Sequence, residues 1–383
     1  MKNRYIKWMM TLVLFSLSYY AYACTDFRVK ANDGTVLITR SMEFAEDMKS
    51  NLRTSPRGRA FNMTAPDGTP GLAWKAKYGY VFLDGMNVDV AIDGMNEAGL
   101  SVEDLYLPSF AQYQTVPTGQ NNKALPYIHL ADWILSNFKS VEEVRQALPS
   151  IYVYAAKTPG MGDMIFPLHF SIFDNSGKGI VVEYVKGKMN IYDHIGVMTN
   201  SPTYDWHIVN LNNYIQLAPL NPPPVIASGI IFAATGQGFG MIGLPGDISP
   251  PSRFVKVATL LRVALPAADA TSAINLAEHV INNVDIVRGE ARQPQSGNYI
   301  DDITQWVVFK DLTHRVFYYR TYDDLSLRAV ALEKINFNEN APRLLMPIAS
   351  KGYVNNVTDQ FLKSAQPLPA IPAGNNPTVQ PQH

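Results

Sequence analysis

Cys24 is the only cysteine in 383 residues. It forms no disulfide within the chain and is a free thiol or an intermolecular partner. A thiol has a reference pKa of about 8.5 and needs activation near neutral pH. A histidine is the usual activator. A cysteine freed at a cleavage point carries another base, its own α-amine, with a reference pKa of about 7.7–8.0. That amine can take the thiol proton, directly or through a water, and later give it to the leaving amine. One residue then supplies nucleophile and base. This chemistry requires a chain that begins at Cys24.

The residues before Cys24 fit that requirement. Lys2, Arg4 and Lys7 precede an uncharged, apolar or small run from Trp8 to Ala23, which ends in Ala21-Tyr22-Ala23. This is the layout of a cleaved signal peptide over residues 1–23, and it predicts a secreted or periplasmic protein. The run is shorter than the ~20 residues that span a bilayer. No later segment is long and apolar enough to span one. A lipid-modified cysteine is the competing reading, and it would make the chain a lipid-anchored surface binding protein. Such sites usually have Leu three residues earlier, where this chain has Ala21. The two readings exclude each other, because lipidation consumes both the amine and the sulfur.

Other chemistries find little support. The net charge is −1, with no basic or acidic block, so nucleic acid is not an expected partner. The stretch "GFGMIG" (238–243) fits a dinucleotide fingerprint, but Pro245, Pro250 and Pro251 follow where a helix must start. The seven histidines show no metal-ligand spacing, and no G-x-S-x-G elbow occurs. No cofactor and no metal are expected.

The elements that must position Cys24 begin with the hairpin it opens. "CTDFRVK" and "TVLITRSMEF" flank "ANDG", a strong turn signal. Strands follow in "YGYVFLDGM" and "VDVAIDGMNEAGLSVEDLYL", with turns predicted at Asp84-Gly85 and at 96–99. Helices are predicted over Pro126–Phe138 and over "SVEEVRQAL", where Ser140 and Glu143 form a capping-box pattern. Strands return in "HFSIFDNSGKGIVVEYV" and "KMNIYDHIGVMTN". Residues 221–251 predict loops. Helices then fall in "SRFVKVATLLRVAL" and "DATSAINLAEHVINNV". A hairpin in "TQWVVFKDLTHRVFYYRTY" and a last strand in "LRAVALEKI" close the domain. Antiparallel sheets with helices outside are the expected α+β arrangement. The catalytic domain is expected over 24–358, with an unpacked Pro- and Gln-rich tail over 359–383.

Five stretches, "CTDFRV", "ITRSMEF", "DGMNEAGL", "MTNSPTYDWH" and "LPGDISPPSRF", together resemble the choloylglycine hydrolase family, which includes bile salt hydrolases and penicillin V acylases. The resemblance runs from Cys24 to about Ile335. It implies an N-terminal-nucleophile (Ntn) hydrolase fold, a four-layer αββα sandwich of two antiparallel sheets. It also implies cleavage of linear non-peptide amides through a thioester on Cys24, with bile salt conjugates, penicillin V or acyl-homoserine lactones as substrates. By the resemblance, Arg40 sits beside the thiol, Asn200 belongs to the oxyanion hole, and Arg253 is a second arginine near the reacting centre. Glu43 stands where the family has an aspartate that orients the amine, one methylene longer, with Asp47 a weaker candidate. Tyr106 falls near a substrate-binding position, and Phe44 and Phe110 are pocket candidates. The partner is a small amide with an apolar acyl group, and a homo-oligomer, a homotetramer in the family, is implied.

Hairpin register tests Arg40 separately. A two-residue turn at Asp33-Gly34 would set Cys24 opposite Glu43 and put Arg40 on the other face from the thiol. A three-residue loop, Asn32-Asp33-Gly34, sets Cys24 opposite Met42 and puts Cys24 and Arg40 on one face. The second register, with Gly34 at positive φ, is the one Arg40 requires.

Overall fold

The computed structural model describes residues 23–158, 164–295, 297–350, 352 and 354–364. The expected signal peptide lies outside the described residues, except Ala23, as does most of the expected tail; residues 358–364 form a short helix.

The chain opens with β1 (Cys24–Lys30) and β2 (Val36–Phe44), then β3 (Asn51–Ser55), β4 (Tyr80–Gly85), β5 (Val88–Asn96) and β6 (Leu100–Tyr106). Helices α1 (Leu130–Asn137) and α2 (Val141–Ala147) follow. The middle strands are β7 (Leu168–Asp174), β8 (Gly179–Val185), β9 (Lys188–Asp193) and the two-residue β10 (Val197–Met198). Next come α3 (Tyr204–Asn210), α4 (Pro250–Val263) and α5 (Ala270–Ile281). The last strands are β11 (Ala291–Gln295), β12 (Asn298–Asp311), β13 (Val316–Thr321), β14 (Asp324–Ala331) and β15 (Leu345–Pro347).

These strands form two large antiparallel sheets. One runs β10-β1-β2-β12-β13-β14, with β11 also paired to β12; the other runs β9-β8-β7-β6-β5-β4-β3-β15. Helices α4 and α5 pack on the first sheet, and α1 and α2 on the second. Strand β2 is buried along its whole length, as a strand between a helix layer and a second sheet must be. One apolar cluster fills the space between the sheets and under α4 and α5. Another fills the space between the second sheet and α1 and α2. The result is the αββα sandwich.

The first hairpin takes the three-residue loop. Ala31 N–H donates to Thr35 O at 2.9 Å, Cys24 faces Met42 and Asp26 faces Arg40. Gly34 sits at φ +93°, where a side chain is strained. Asp33 Oδ1 accepts from Thr35 N–H at 2.8 Å and fixes the turn.

Several local expectations change. The β4–β5 turn is Met86-Asn87, both at positive φ, rather than Asp84-Gly85. Asp84 is buried instead, accepting from Asn51 N–H at 2.7 Å and Arg53 Nε at 2.5 Å. The helix expected from Pro126 starts as a 3-10 turn at Tyr127 and becomes α-helical at Leu130, because Pro126 is tied into a short parallel strand pair. Ser140 caps α2 through Glu143 N–H, but the Glu143 carboxylate accepts from Lys139 N–H, so the box is incomplete. Residues 221–251 are not loop throughout: Val225–Ala227 and Ile230–Phe232 pair as a small antiparallel hairpin. Helix α4 starts two residues early, at Pro250, since proline is tolerated in a first turn.

Candidate active site

Cys24 is the first residue of β1 and is 2% exposed. It lines a pocket of about 720 Å³ together with Arg40, Met42, Glu43, Phe44, Asp104 and Tyr106. Its nitrogen donates to Asn200 Oδ1 at 2.7 Å. In the unprocessed chain this nitrogen is an amide joined to Ala23. In a chain cut before Cys24 it is the α-amine.

Two guanidinium groups approach Cys24, both fully buried. Arg40 projects from β2. Its Nη2 donates to Cys24 Sγ at 3.5 Å and to Asp104 O at 2.8 Å. Its planar head lies over the Trp306 ring, 4.7 Å from the centroid, a cation–π contact that fixes the plane. Its Nη1 lies 3.8 Å from Asp93 Oδ2. Arg253 comes from the first turn of α4. Its Nη1 donates to Cys24 O at 2.6 Å and to Thr25 Oγ1 at 2.5 Å, and its Nη2 donates to Asn200 Oδ1 at 2.7 Å. Its Nε donates to Ile248 O at 2.9 Å. Every arm of Arg253 therefore holds protein, which suits a residue that fixes β1 and Asn200.

Asn200 follows β10. Its Oδ1 receives donors from both Cys24 and Arg253, so the amide has one orientation. Its Nδ2 donates to Tyr106 O at 2.8 Å, and among the described residues its second hydrogen has no acceptor. His207 Nε2 donates to Asn200 O at 2.8 Å. Burial pulls that imidazole down to about 4, so it stays neutral and serves as a fixed donor.

Glu43 is in the pocket wall, but its Oε1 accepts from Thr304 Oγ1 at 2.9 Å and its Oε2 meets no hydrogen-bond geometry among the described residues. The Cys24 nitrogen goes to Asn200 rather than to this carboxyl. Burial pushes Glu43 up to about 7, against the pull of Arg253. Burial also pushes the Cys24 thiol up; Arg40 pulls it back, Glu43 opposes, and Arg253 adds a weaker pull. The resting thiol is therefore protonated at neutral pH and needs a base.

Cys24, Arg40, Glu43, Asn200 and Arg253 meet at one place, and Phe44 and Tyr106 line the same pocket. Two candidates do not join them. Asp47 is exposed and caps its own turn through Lys49 N–H. Phe110 is 38% exposed and lies outside the pocket wall, because the chain turns outward after β6. Sequence reasoning missed Thr25, Trp306 and Asp104, and the apolar lining from Met42, Met48, Met86 and Ile92. For Thr25 a signal existed, its place next to Cys24. Trp306 arrives from a strand far along the chain.

A family model described as linear amide C–N hydrolases, choloylglycine hydrolase family, matches residues 24–344. A bile salt hydrolase/transferase of Clostridium perfringens is 35% identical over 327 residues, 83% of this chain and 94% of that protein. A penicillin V acylase of Pectobacterium atrosepticum is 27% identical, with 94% and 95% covered. Among solved structures, a mutant conjugated bile acid hydrolase from Clostridium perfringens has a TM-score of 0.76 at 31% identity, covering 87% of this chain and 99% of that one. Penicillin V acylase from Agrobacterium tumefaciens has a TM-score of 0.68 at 25% identity, covering 85% and 92%. With its αββα sandwich and a buried cysteine opening the first strand, this chain belongs to the choloylglycine hydrolase family and is a hydrolase of linear amide C–N bonds.

Proposed function

We propose that the chain, cut before Cys24, hydrolyses N-acyl amides of the bile salt conjugate or penicillin V type. Cys24 Sγ attacks the amide carbon while its proton passes to the Cys24 α-amine. The carbonyl oxygen gains the charge, and the free Asn200 Nδ2 hydrogen stabilises it. The C–N bond breaks, and the ammonium of Cys24 protonates the leaving amine. A thioester remains. Water, deprotonated by the same amine, attacks it and frees the acid. Arg40 keeps the transient thiolate favourable, Arg253 holds Asn200 and Cys24 in register, and Glu43 shapes the field around the amine.

The observation that carries this reading is the position of Cys24, which lines the pocket with its sulfur beside Arg40 and its nitrogen bonded to Asn200. A lipid anchor would consume both the amine and the sulfur that this site holds through Asn200 and Arg40. The layout of residues 1–23 supports export to the periplasm or beyond. The test is a screen of the processed protein on glycine and taurine bile conjugates, penicillin V and acyl-homoserine lactones. Turnover of at least one, abolished in Cys24→Ala, is expected; none at all contradicts the reading.

The chain is also proposed to form a homo-oligomer. The small hairpin at 225–232 exposes Val225, Ile226, Ile230, Ile231 and Phe232, each more than half exposed. An apolar projection of this kind marks an association surface. Light scattering should give a multimer, and Ile226→Asp with Ile231→Asp should give a monomer; a wild-type monomer contradicts it.

A further inference from the structure

Asn200 sits where a strand ladder has run out. Strand β10 pairs with β1 only at Val197 and Met198. The two residues that follow, Thr199 and Asn200, are buried, and their carbonyls still need donors. Two imidazoles supply them. His207 Nε2 donates to Asn200 O at 2.8 Å, and His169 Nε2 donates to Thr199 O at 3.0 Å. The His169 hydrogen must be on Nε2, because a carbonyl oxygen only accepts. The carbonyls on both sides of the Asn200 Cα are therefore pinned.

His169 reaches this loop from the other sheet. It is buried on β7, whereas β10 and Cys24 belong to the first sheet. Its Nδ1 lies 3.0 Å from Glu183 Oε1 on the neighbouring strand β8. The same oxygen accepts from Tyr204 N–H at 3.0 Å, so Glu183 also holds the start of α3, just beyond the Asn200 loop. A carboxyl on one ring nitrogen fixes the ring and the hydrogen on the other. A buried His–Glu pair adds little to stability by itself, and apolar side chains would fill the space without its desolvation cost. What apolar side chains could not do is hold Thr199 O.

We propose that His169, oriented by Glu183, is a positioning residue that sets where the second Asn200 Nδ2 hydrogen points, and so tunes the oxyanion site without touching substrate. The inference rests on the amidase reading above and deepens it. His169 does not line the pocket. The Asn200 side chain is held at Oδ1 by Cys24 N and Arg253, and at Nδ2 by Tyr106 O. These contacts fix the plane of the amide. Its depth is left to the backbone that carries it, and an oxyanion donor works over a narrow range, about 2.7–3.1 Å. Without the His169 contact the loop can draw back, and the hydrogen leaves that range.

The test compares two reactions of the same thiol, on protein cut before Cys24. With 4-nitrophenyl acetate, sulfur attacks the carbonyl carbon, the carbonyl oxygen takes the charge, and 4-nitrophenolate leaves. Iodoacetamide alkylates the sulfur with loss of iodide and forms no oxyanion. Cys24→Ala gives the blank for both. His169→Leu should lower acylation relative to alkylation about 30-fold, less than the ~10²–10³ for removing a donor outright. His169→Gln, which keeps an N–H in place of Nε2, should hold the ratio within about threefold of wild type. Glu183→Gln, which frees the ring, should lower the ratio about fivefold, the worth of one hydrogen bond, and it carries the test if the leucine variant does not fold. A merely structural role would lower both reactions alike and leave the ratio unchanged, and that result overturns the proposal. So does a glutamine ratio as low as that of leucine. The ratio does not depend on amide turnover. The expected change with no amide cleaved by wild type would sink the amidase reading and keep His169's role. Good amide turnover with an unchanged ratio would sink only His169's role.

Discussion

At the scale of the residue, the thiol is held between burial, which keeps its proton, and two arginines, which favour losing it. Removing Arg40 tips this balance. In Arg40→Leu the rate of Cys24 alkylation by iodoacetamide at pH 8 should fall about tenfold, the effect of roughly one pKa unit. The kcat/KM should fall on the order of 10²-fold, as when one charge-stabilising group is lost. Leucine can still pack on Trp306, so the fold should survive. Unchanged alkylation would show that Arg40 does not act on the thiol. Cys24 was legible in the sequence because a single cysteine at a cleavage point has a chemical meaning by itself. Arg40, Asn200 and Arg253 carried no such meaning alone, and only the family resemblance singled them out. Asp104 was not legible, because an acid in a strand reads as an exposed face, and here it is buried.

At the scale of the element, the first hairpin decides whether Cys24 and Arg40 meet. Its loop length sets the register, and Gly34 at φ +93° sets the loop. No atom lies within 4 Å of a Cβ placed there, so Gly34→Ala isolates the backbone strain. It should cost about 1–2 kcal/mol, visible as a lower urea midpoint, with near-normal kcat because the register stays. No loss of stability would contradict the strained-turn account. This hairpin could be read in advance because turn chemistry and side-chain alternation are local. The β4–β5 turn could not, because Asp84 is claimed by Asn51 and Arg53 on a neighbouring strand. The hairpin at 225–232 was hidden by the prolines and glycines around it. Helix α4 shows in the apolar spacing after Ser252, but Pro250-Pro251 reads as loop in the sequence because a proline pair more often ends a helix than starts one.

At the scale of the whole molecule, the space between the sheets holds buried charge as well as apolar core. Lys310 on β12 donates to Asp93 Oδ1 and lies 2.6 Å from Glu103 Oε1, and all three are fully buried. Asp93 in turn lies beside Arg40, so the cluster backs the active site. Lys310 and Asp93 are 217 positions apart, too far for any spacing rule to pair them. Burial pushes Asp26 and Glu43 up to about 7 and Glu103 up to about 8. In the unfolded chain such acids ionise near pH 4. The fold therefore holds more protons, and stability falls as pH rises toward 8. The buried His194 and His207 act the other way, but only below about pH 6.5, where unfolded histidines take up protons. Between pH 6.5 and 8, urea unfolding should show a loss on the order of 2–3 kcal/mol. A flat or rising stability across that window would contradict the protonated state of these acids.

The proposed base is the α-amine of Cys24 itself, and joining mass to activity tests it. Protein cut before Cys24 should show the mass of a free cysteine end and hydrolyse its amide substrate. Protein carrying one extra Met before Cys24 should keep the fold, because Ala23 already extends the hairpin through Glu43 N–H at 3.0 Å, yet its nitrogen is an amide and cannot take the proton. It should lose nearly all turnover and regain it when the Met is removed. Full turnover by a chain shown by mass to remain uncut would contradict the account.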